Sequence, residues 1–384
     1  MKLVYADYNA TYPCSESHFD MVSRVIKKTQ GNPSSIHHFG REAKLILEEA
    51  RQQVAAIFGA ERQSILFTSG ATEANNLAVQ GFFKRFHRSS QRSPKPHMII
   101  SQGEHPSITQ PAEWLRDQGL VDLCKIPLSN DGMIDHKALM AAIREQTVFI
   151  SIIYANNETG IINPIEELTR KIKQQRPSIH VHADAVQAFG KLDISWIGAS
   201  QLDSASASAH KVGGLKGVGS LFLRSGSALD ALLLGGGQEQ RLRSGTENMP
   251  GLVSFGLRAR EILAKPDWLL TCKKVRDHFV EHLLQIPGAC VHGDLRWTLS
   301  NTVNFHIKGL GGDILMLQFD INGIAVSSGS ACSSGVGAPS SVLLGMGFSE
   351  WVSLNSVRVS FGAGSTVGDS EHILAVIKQA AGGS

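Results

Sequence analysis

Three side chains in this sequence occupy places where ordinary structure gives them little to do. Lys211 lies in the stretch SASAHKVGG, between small residues and a glycine pair. Small neighbours leave room beside the amine for a flat molecule, and a lysine held in a small dry pocket loses proton affinity and becomes a nucleophile. Asp184 ends the apolar run IHVHADA, 211 − 184 = 27 residues earlier, a distance that allows a connection and one more strand. A carboxylate at a buried strand end needs a cationic partner, which could be a protonated ring nitrogen or a nearby Arg or Lys. In LFTSGATEANN a strand-like run stops at Thr68-Ser69-Gly70 and a helix opens at Ala71 and Thr72. That opening is either a plain capped helix start or a set of free N–H groups and a dipole suited to phosphate. Taken together, a phosphate-suited helix start, a strand-end aspartate and a lysine flanked by Ser208 and His210 suit pyridoxal 5′-phosphate (PLP). The lysine would hold the cofactor as a Schiff base, with the aspartate facing its ring nitrogen.

The third is Cys332, in VSSGSACSSGVGAPSS. No apolar period surrounds it, so it does not read as a core cysteine. An exposed loop bearing one thiol makes sense if the thiol must travel between two places. The Gly-rich stretches KVGGLKGVG and LGGGQ match neither a P-loop nor a dinucleotide fingerprint in its proper context.

Elements must position these groups. From about residue 40 to 225, strand-like runs (SILFTSG, HMIIS, VDLCKIP, VFISIIYA, IHVHADA, GSLFLR) alternate with helical patterns such as ATEANNLAVQGFFKRF, KALMAAIREQ and PIEELTRKIKQQ. Such alternation predicts an α/β domain with a mainly parallel sheet, whose ligands sit beyond the carboxyl ends of the strands. After about residue 255, the long helical stretch GLVSFGLRAREILA leads to TVNFHI, GIAVSSG and SVRVSFG, which predict a smaller α+β domain. The expected division is residues 16–255 for the large domain, with 1–15 and 256–384 forming the small one.

The 384 residues suffice for a large buried core, and a net charge of +3 gives no reason to expect nucleic acid or an anionic membrane as partner. Cysteines at 14, 124, 272, 290 and 332 form no CxxC pair, so neither a disulfide framework nor a zinc or other metal site is indicated. The N-terminus MKLVYADYNA has no signal-peptide or transit-peptide pattern, and no run of about 18 apolar residues occurs. A cytoplasmic protein is expected.

The motifs YADYNAT, GNPSSIH, TSGATEANN, EHPSI, NNETG, HADAVQ, SASAHK, GGGQEQRLRSGTEN and SSGSACSSG run nearly end to end. With them the chain resembles the cysteine desulfurases, PLP enzymes of the class-V aminotransferase group. The resemblance implies fold type I of PLP-dependent transferases, with a seven-stranded mainly parallel sheet. It makes Lys211 the Schiff-base lysine and Cα base, Asp184 the partner of the ring nitrogen, and Gln187 the donor to the phenolic oxygen. His105 would stack on the ring and shuttle a proton. Ala71, Thr72, Ser208 and His210 would cradle the phosphate, with Thr246 reaching it from the other subunit of a homodimer. Asn156 would touch cofactor and substrate, Arg358 would clamp the substrate carboxylate, and Asn32 would lie nearby. Cys332, in a loop like that of the long-loop members, would take sulfur from L-cysteine and pass it to an acceptor such as an iron–sulfur scaffold protein.

Singly, His105 before a proline, Arg358 in an alternating strand and Asn156 in a turn read as ordinary structure. Only the joint pattern gives them roles. Departures from the family pattern are DYNATY near the N-terminus, Leu215 where proline is common, and Gln240 where arginine is common. None touches a proposed catalytic atom. Rival readings are a lyase acting on selenocysteine or cystine, another class-V aminotransferase, a fold that has lost its chemistry, and a cysteine peptidase. The thiol in its loop argues against transamination, and the joint presence of Lys211, Asp184, His105 and Cys332 argues against a catalytically empty fold.

Overall fold

The computed structural model describes residues 2–89, 94–264, 268–328 and 338–382. The strands are β1 (Val4–Tyr5), β2 (Ile65–Thr68), β3 (His97–Ser101), β4 (Asp122–Ile126), β5 (Thr147–Ile153), β6 (His180–Asp184), β7 (Ser204–Ser208), β8 (Gly219–Leu223), β9 (Ala289–Val291), β10 (Thr302–Ile307), β11 (Ile324–Ala325), β12 (Ser327–Ser328) and β13 (Val357–Ser360). The helices are α1 (Glu16–Ile26), α2 (His38–Ile57), α3 (Ala71–Ser89), α4 (Pro106–Asp117), α5 (His136–Ala142), α6 (Ile165–Gln175), α7 (Met249–Ala264), α8 (Trp268–Leu283), α9 (Gly312–Ile321), α10 (Ser341–Gly345), α11 (Glu350–Leu354) and α12 (Val367–Ala380).

Seven strands form one sheet in the order β2-β8-β7-β6-β5-β3-β4, parallel except for β8, which runs against both its neighbours. This is the expected α/β fold. Strands β3, β6 and β7 are buried throughout, as a sheet covered on both faces requires. β7 is built only of serine and alanine, so it shows no apolar run in the sequence, yet Ala205 and Ala207 are fully buried in the core. The core beneath the sheet includes Phe58, Phe189 and Phe222, with ring centroids 5.4 and 5.8 Å from Phe58. Truncating such a ring to alanine costs about 3–5 kcal/mol.

A second core gathers Phe279, Phe305 and Phe361 with Val4 and Ala6 of the N-terminal segment. It lies over the antiparallel sheet β12-β13-β10-β9, and β1 pairs in parallel with β11. The chain therefore begins in the second core, passes the large sheet at residues 9–12, and returns to the second core after α7. The sequence division at 255/256 falls inside α7, whose Ala259 and Ile262 still pack in the first core. The run GIAVSSG is not one strand: Ile324–Ala325 pairs with β1, whereas Ser327–Ser328 pairs with β13. The helix expected over 137–146 stops at Ala142, where Ile143 turns extended and the Arg144 N–H bonds the Thr147 hydroxyl.

Candidate active site

Sheet register brings the chemistry to one edge. Thr68 pairs with Gly219, Gly219 with Ser208, Ser206 with Asp184, and Asp184 with Ile153. Beyond this edge lies a cavity of about 380 Å³, lined by Thr11, Ala71, Thr72, His105, Asn157, Asp184, Gln187, Ser208, His210 and Lys211 among others. That volume suits a cofactor-sized molecule. Gly219 opens β8 directly beneath the β2–α3 turn. A Cβ there would stand 2.5 Å from the Gly70 carbonyl carbon and 2.8 Å from the Ala71 nitrogen, so only glycine lets the helix start sit on the sheet.

Lys211 occupies a short 3-10 turn that follows β7, and its Nζ donates to the carbonyls of Asn9 and Ala10 at 2.8 and 3.0 Å. Asp184 is buried. Its Oδ1 accepts from the Val186 N–H at 3.1 Å and its Oδ2 from Asn75 Nδ2 at 2.8 Å. No ion pair to Asp184 forms among the described residues, so its carboxylate can serve a cation brought by a ligand.

His105 caps the N-terminus of α4. Its Nδ1 accepts from the Ser107 N–H at 3.1 Å, which places the ring proton of the neutral imidazole on Nε2. Burial holds its pKa below the usual histidine value, opposed by Asp184 and reinforced by Lys211. His210 is pushed down to about 4 by burial, with Lys211 and Lys216 adding to the effect, so it is neutral near pH 7. Its Nδ1 lies 3.2 Å from the Thr11 hydroxyl. Glu104 is fully buried, and burial pushes its carboxyl well above the ordinary range, with Asp184 adding.

The sequence reading placed other residues less closely. Of the NNETG pair, the second asparagine, Asn157, lines the cavity. Asn156 is buried behind it, its Oδ1 accepting from the N–H groups of Glu158 and Thr159 and its Nδ2 donating to the Gly103 carbonyl. Arg358 does not line the cavity. It is 2% exposed and donates to Asp7 Oδ1 at 2.6 Å, to the Ser327 hydroxyl at 2.9 Å and to the Asn157 carbonyl at 2.8 Å. It thus sits one layer behind Asn157, with its Nε buried and, among the described residues, without a hydrogen-bond partner.

Asn32 is exposed, and its Oδ1 accepts from the Ser34 N–H rather than facing the cavity. Thr246 is also exposed, in a separate depression that shares Ser69 and Gly217 with the main cavity. Gln187 is at the cavity, but its Nε2 donates to the Asn9 carbonyl at 2.9 Å and its Oε1 accepts from Lys191 Nζ at 2.6 Å. Cys332 lies outside the described residues.

The sequence reading missed Asn9, Asn75, Ser107 and Lys191. Asn9 and Asn75 stand inside quoted motifs, but no local pattern says which neighbour a buried amide meets. Lys191 is also buried, where its desolvation brings its pKa down to about 7, with Lys211 and Arg358 acting in the same direction.

The class-V aminotransferase family model matches residues 4–372. A protein from Dictyoglomus turgidum named cysteine desulfurase IscS is 36% identical over 379 residues, covering 98% of this chain and 94% of that one. One from Bacillus subtilis named putative cysteine desulfurase IscS 1 is 36% identical over 389 residues, covering 99% of this chain and all of that one. Among solved structures, a NifS-like protein superimposes with a TM-score of 0.90 at 31% identity, covering 98% of this chain and 99% of that one. The match runs along nearly the whole length, and the chain belongs to the class-V aminotransferase family.

Proposed function

We propose that the protein is a PLP-dependent cysteine desulfurase that converts L-cysteine to L-alanine and leaves the sulfur as a persulfide on Cys332. The relatives' names support the reaction, and the cavity fits the cofactor: an amine, an acid with no ion pair among the described residues and a helix start lie around one space. The observation that carries the reading concerns the chain on either side of Cys332. Ser327, on one side, accepts from Arg358, and the Ser340 hydroxyl, on the other, donates to Glu158 Oε2 at 2.5 Å. Arg358 and Glu158 both adjoin Asn157 of the cavity wall, so both flanks of the thiol-bearing segment are anchored beside the cavity.

PLP, when bound, supplies an electron-accepting ring that eases bond breaking at the substrate Cα and Cβ. Asp184 would accept a hydrogen bond from the protonated ring nitrogen. The N–H groups at Ala71 and Thr72, with Ser208 and His210, would hold the phosphate. Lys211 Nζ would take the Cα proton and return it, and His105 would offer its Nε2–H as a donor. Cys332, as thiolate, attacks the substrate sulfur. The new S–S bond forms as the Cβ–S bond breaks, and that electron pair stays with the substrate, which is protonated and leaves as alanine. Arg358, which lies one layer behind the cavity wall and pairs with Asp7, would meet the substrate carboxylate by exchanging Asp7 for it.

We further assign a homodimer, in which Thr246 reaches the partner's phosphate, a cytoplasmic setting, and an iron–sulfur scaffold protein as sulfur acceptor. No helix among the described residues is long and apolar enough to cross a membrane. Incubation with L-cysteine tests the reaction. Equal amounts of alanine and sulfide in the presence of a thiol reductant are expected, whereas pyruvate or another keto acid would favour transamination or elimination.

A further inference from the structure

Asn75 stands in the first turns of α3, fully buried, and no role in the reaction described above falls to it. Its Nδ2 lies 2.8 Å from Asp184 Oδ2 and 2.8 Å from the Ser107 hydroxyl. An amide oxygen could not sit that close to a carboxylate, so the nitrogen faces Asp184 and the oxygen faces His182 Nε2 at 3.1 Å. His182 must then carry its proton on Nε2. Burial, with His180 adding, pushes His182 down to about 3, so the ring is neutral and its Nδ1 accepts from the Ser204 hydroxyl at 2.8 Å. The Ser204 oxygen in turn accepts from His180 Nε2 at 2.8 Å. Every donor in this chain has a single possible direction, and it ends on Asp184.

The amide also branches. Because Asn75 donates to the Ser107 oxygen, the Ser107 hydroxyl proton is left for His105 Nδ1, 2.8 Å away. One amide therefore touches the acid proposed for the ring nitrogen and, through one serine, the imidazole proposed to stack on the ring.

We propose that Asn75, oriented by His182, is a positioning residue that holds Asp184 and His105 in a fixed relation across the cavity, so that the carboxylate keeps the ring nitrogen of PLP protonated. The inference rests on the reading of the cavity as a PLP site. The charged and titratable groups that face Asp184 are Glu104, His105 and Lys211. With Asn75 removed, the carboxylate loses its side-chain donor and its fixed geometry. The ring nitrogen then holds its proton less firmly, and the conjugated nitrogen on Lys211 becomes more basic.

The test compares holoenzyme with Asn75→Ala and His182→Phe. The second keeps a ring against Phe149 and removes the N–H. Two quantities are read: the PLP dissociation constant of the apoprotein, and the pH midpoint of the visible absorbance of the bound cofactor. In Asn75→Ala the constant should rise about tenfold and the midpoint should rise by about one pH unit. His182→Phe should move both in the same direction by less, and it decides the matter if Asn75→Ala does not fold. Wild-type values in His182→Phe, or a weaker constant with an unmoved midpoint in either variant, overturn the proposal. A wild-type protein that takes up no PLP overturns the functional reading itself, and this inference with it.

Discussion

The guanidinium of Arg358 meets the carboxylate of Asp7 at 2.6 Å, joining residues 351 apart in the chain. Arg358 is fully buried on β13 and its planar fork is already divided between Asp7, Ser327 and Asn157. A substrate carboxylate meeting Arg358 would therefore have to displace Asp7, because the Nε is buried. A lysine here would keep the charge and lose the fork. Losing one charged hydrogen bond costs about 1.5–3 kcal/mol. Arg358→Lys should raise the KM for L-cysteine by roughly 10–100-fold, with a smaller change in kcat, measured by steady-state sulfide release. An unchanged KM would remove Arg358 from the substrate site.

Cys332→Ala separates cofactor binding from sulfur transfer. The variant should keep the visible absorbance of bound PLP and lose sulfide release and the persulfide. Detection of persulfide by alkylation and mass spectrometry distinguishes the two. Sulfide release at the wild-type rate would show that another group accepts the sulfur.

The large sheet was legible because its strands read as apolar runs broken by helical periods, and the cavity-lining groups because Lys211, Asp184 and the helix start at Ala71 stand at strand ends. β7 carried no apolar signal, since Ser204–Ser208 contains only small residues, and its place followed from the spacing between Asp184 and Lys211 alone. The choice between Asn156 and Asn157 was not legible. Adjacent side chains in a turn point to different sides, and only the folded loop turns Asn157 to the cavity. The burial of Arg358 was equally hidden, because its counter-ion Asp7 comes from the other end of the chain.

Glu158 gives the protein a pH-dependent element beside the thiol-bearing segment. Burial raises its carboxyl from 4.5 to about 7, opposed by the Ser340 hydroxyl and Arg358. The folded state binds this proton more tightly than the unfolded chain. Its contribution is complete below the unfolded pKa and is lost as pH rises through the folded one. Between roughly pH 5 and 8 the wild type should lose up to about 3 kcal/mol relative to Glu158→Gln. Urea denaturation of both proteins across that range measures it, and parallel stability curves would contradict it.

Glu239 fixes the loop that carries Thr246. Its carboxylate accepts from both terminal nitrogens of buried Arg51, at 2.6 and 2.9 Å, and from the Phe67 N–H at 3.0 Å. The loop turns through Gln240 and Arg241, both at positive φ, 51° and 63°. Strain of that kind persists only where the surroundings enforce it. Glu239→Ala leaves both terminal nitrogens of buried Arg51 without their carboxylate, with only Glu48 at its Nε, 3.3 Å away, which should cost up to about 3–5 kcal/mol of stability, read as a lower denaturation midpoint. A loss below about 1 kcal/mol, the scale of a surface pair, would show that the ion pair is not holding the loop.

The most direct test is the bond at Lys211. Borohydride reduction of the purified holoenzyme, followed by proteolysis and mass spectrometry, should find the pyridoxyl group on the Lys211 side chain. Lys211→Ala should lose both that adduct and turnover. A cofactor fixed at another residue such as Lys191 or Lys216, or none fixed at all, would contradict the assignment of this cavity to PLP chemistry.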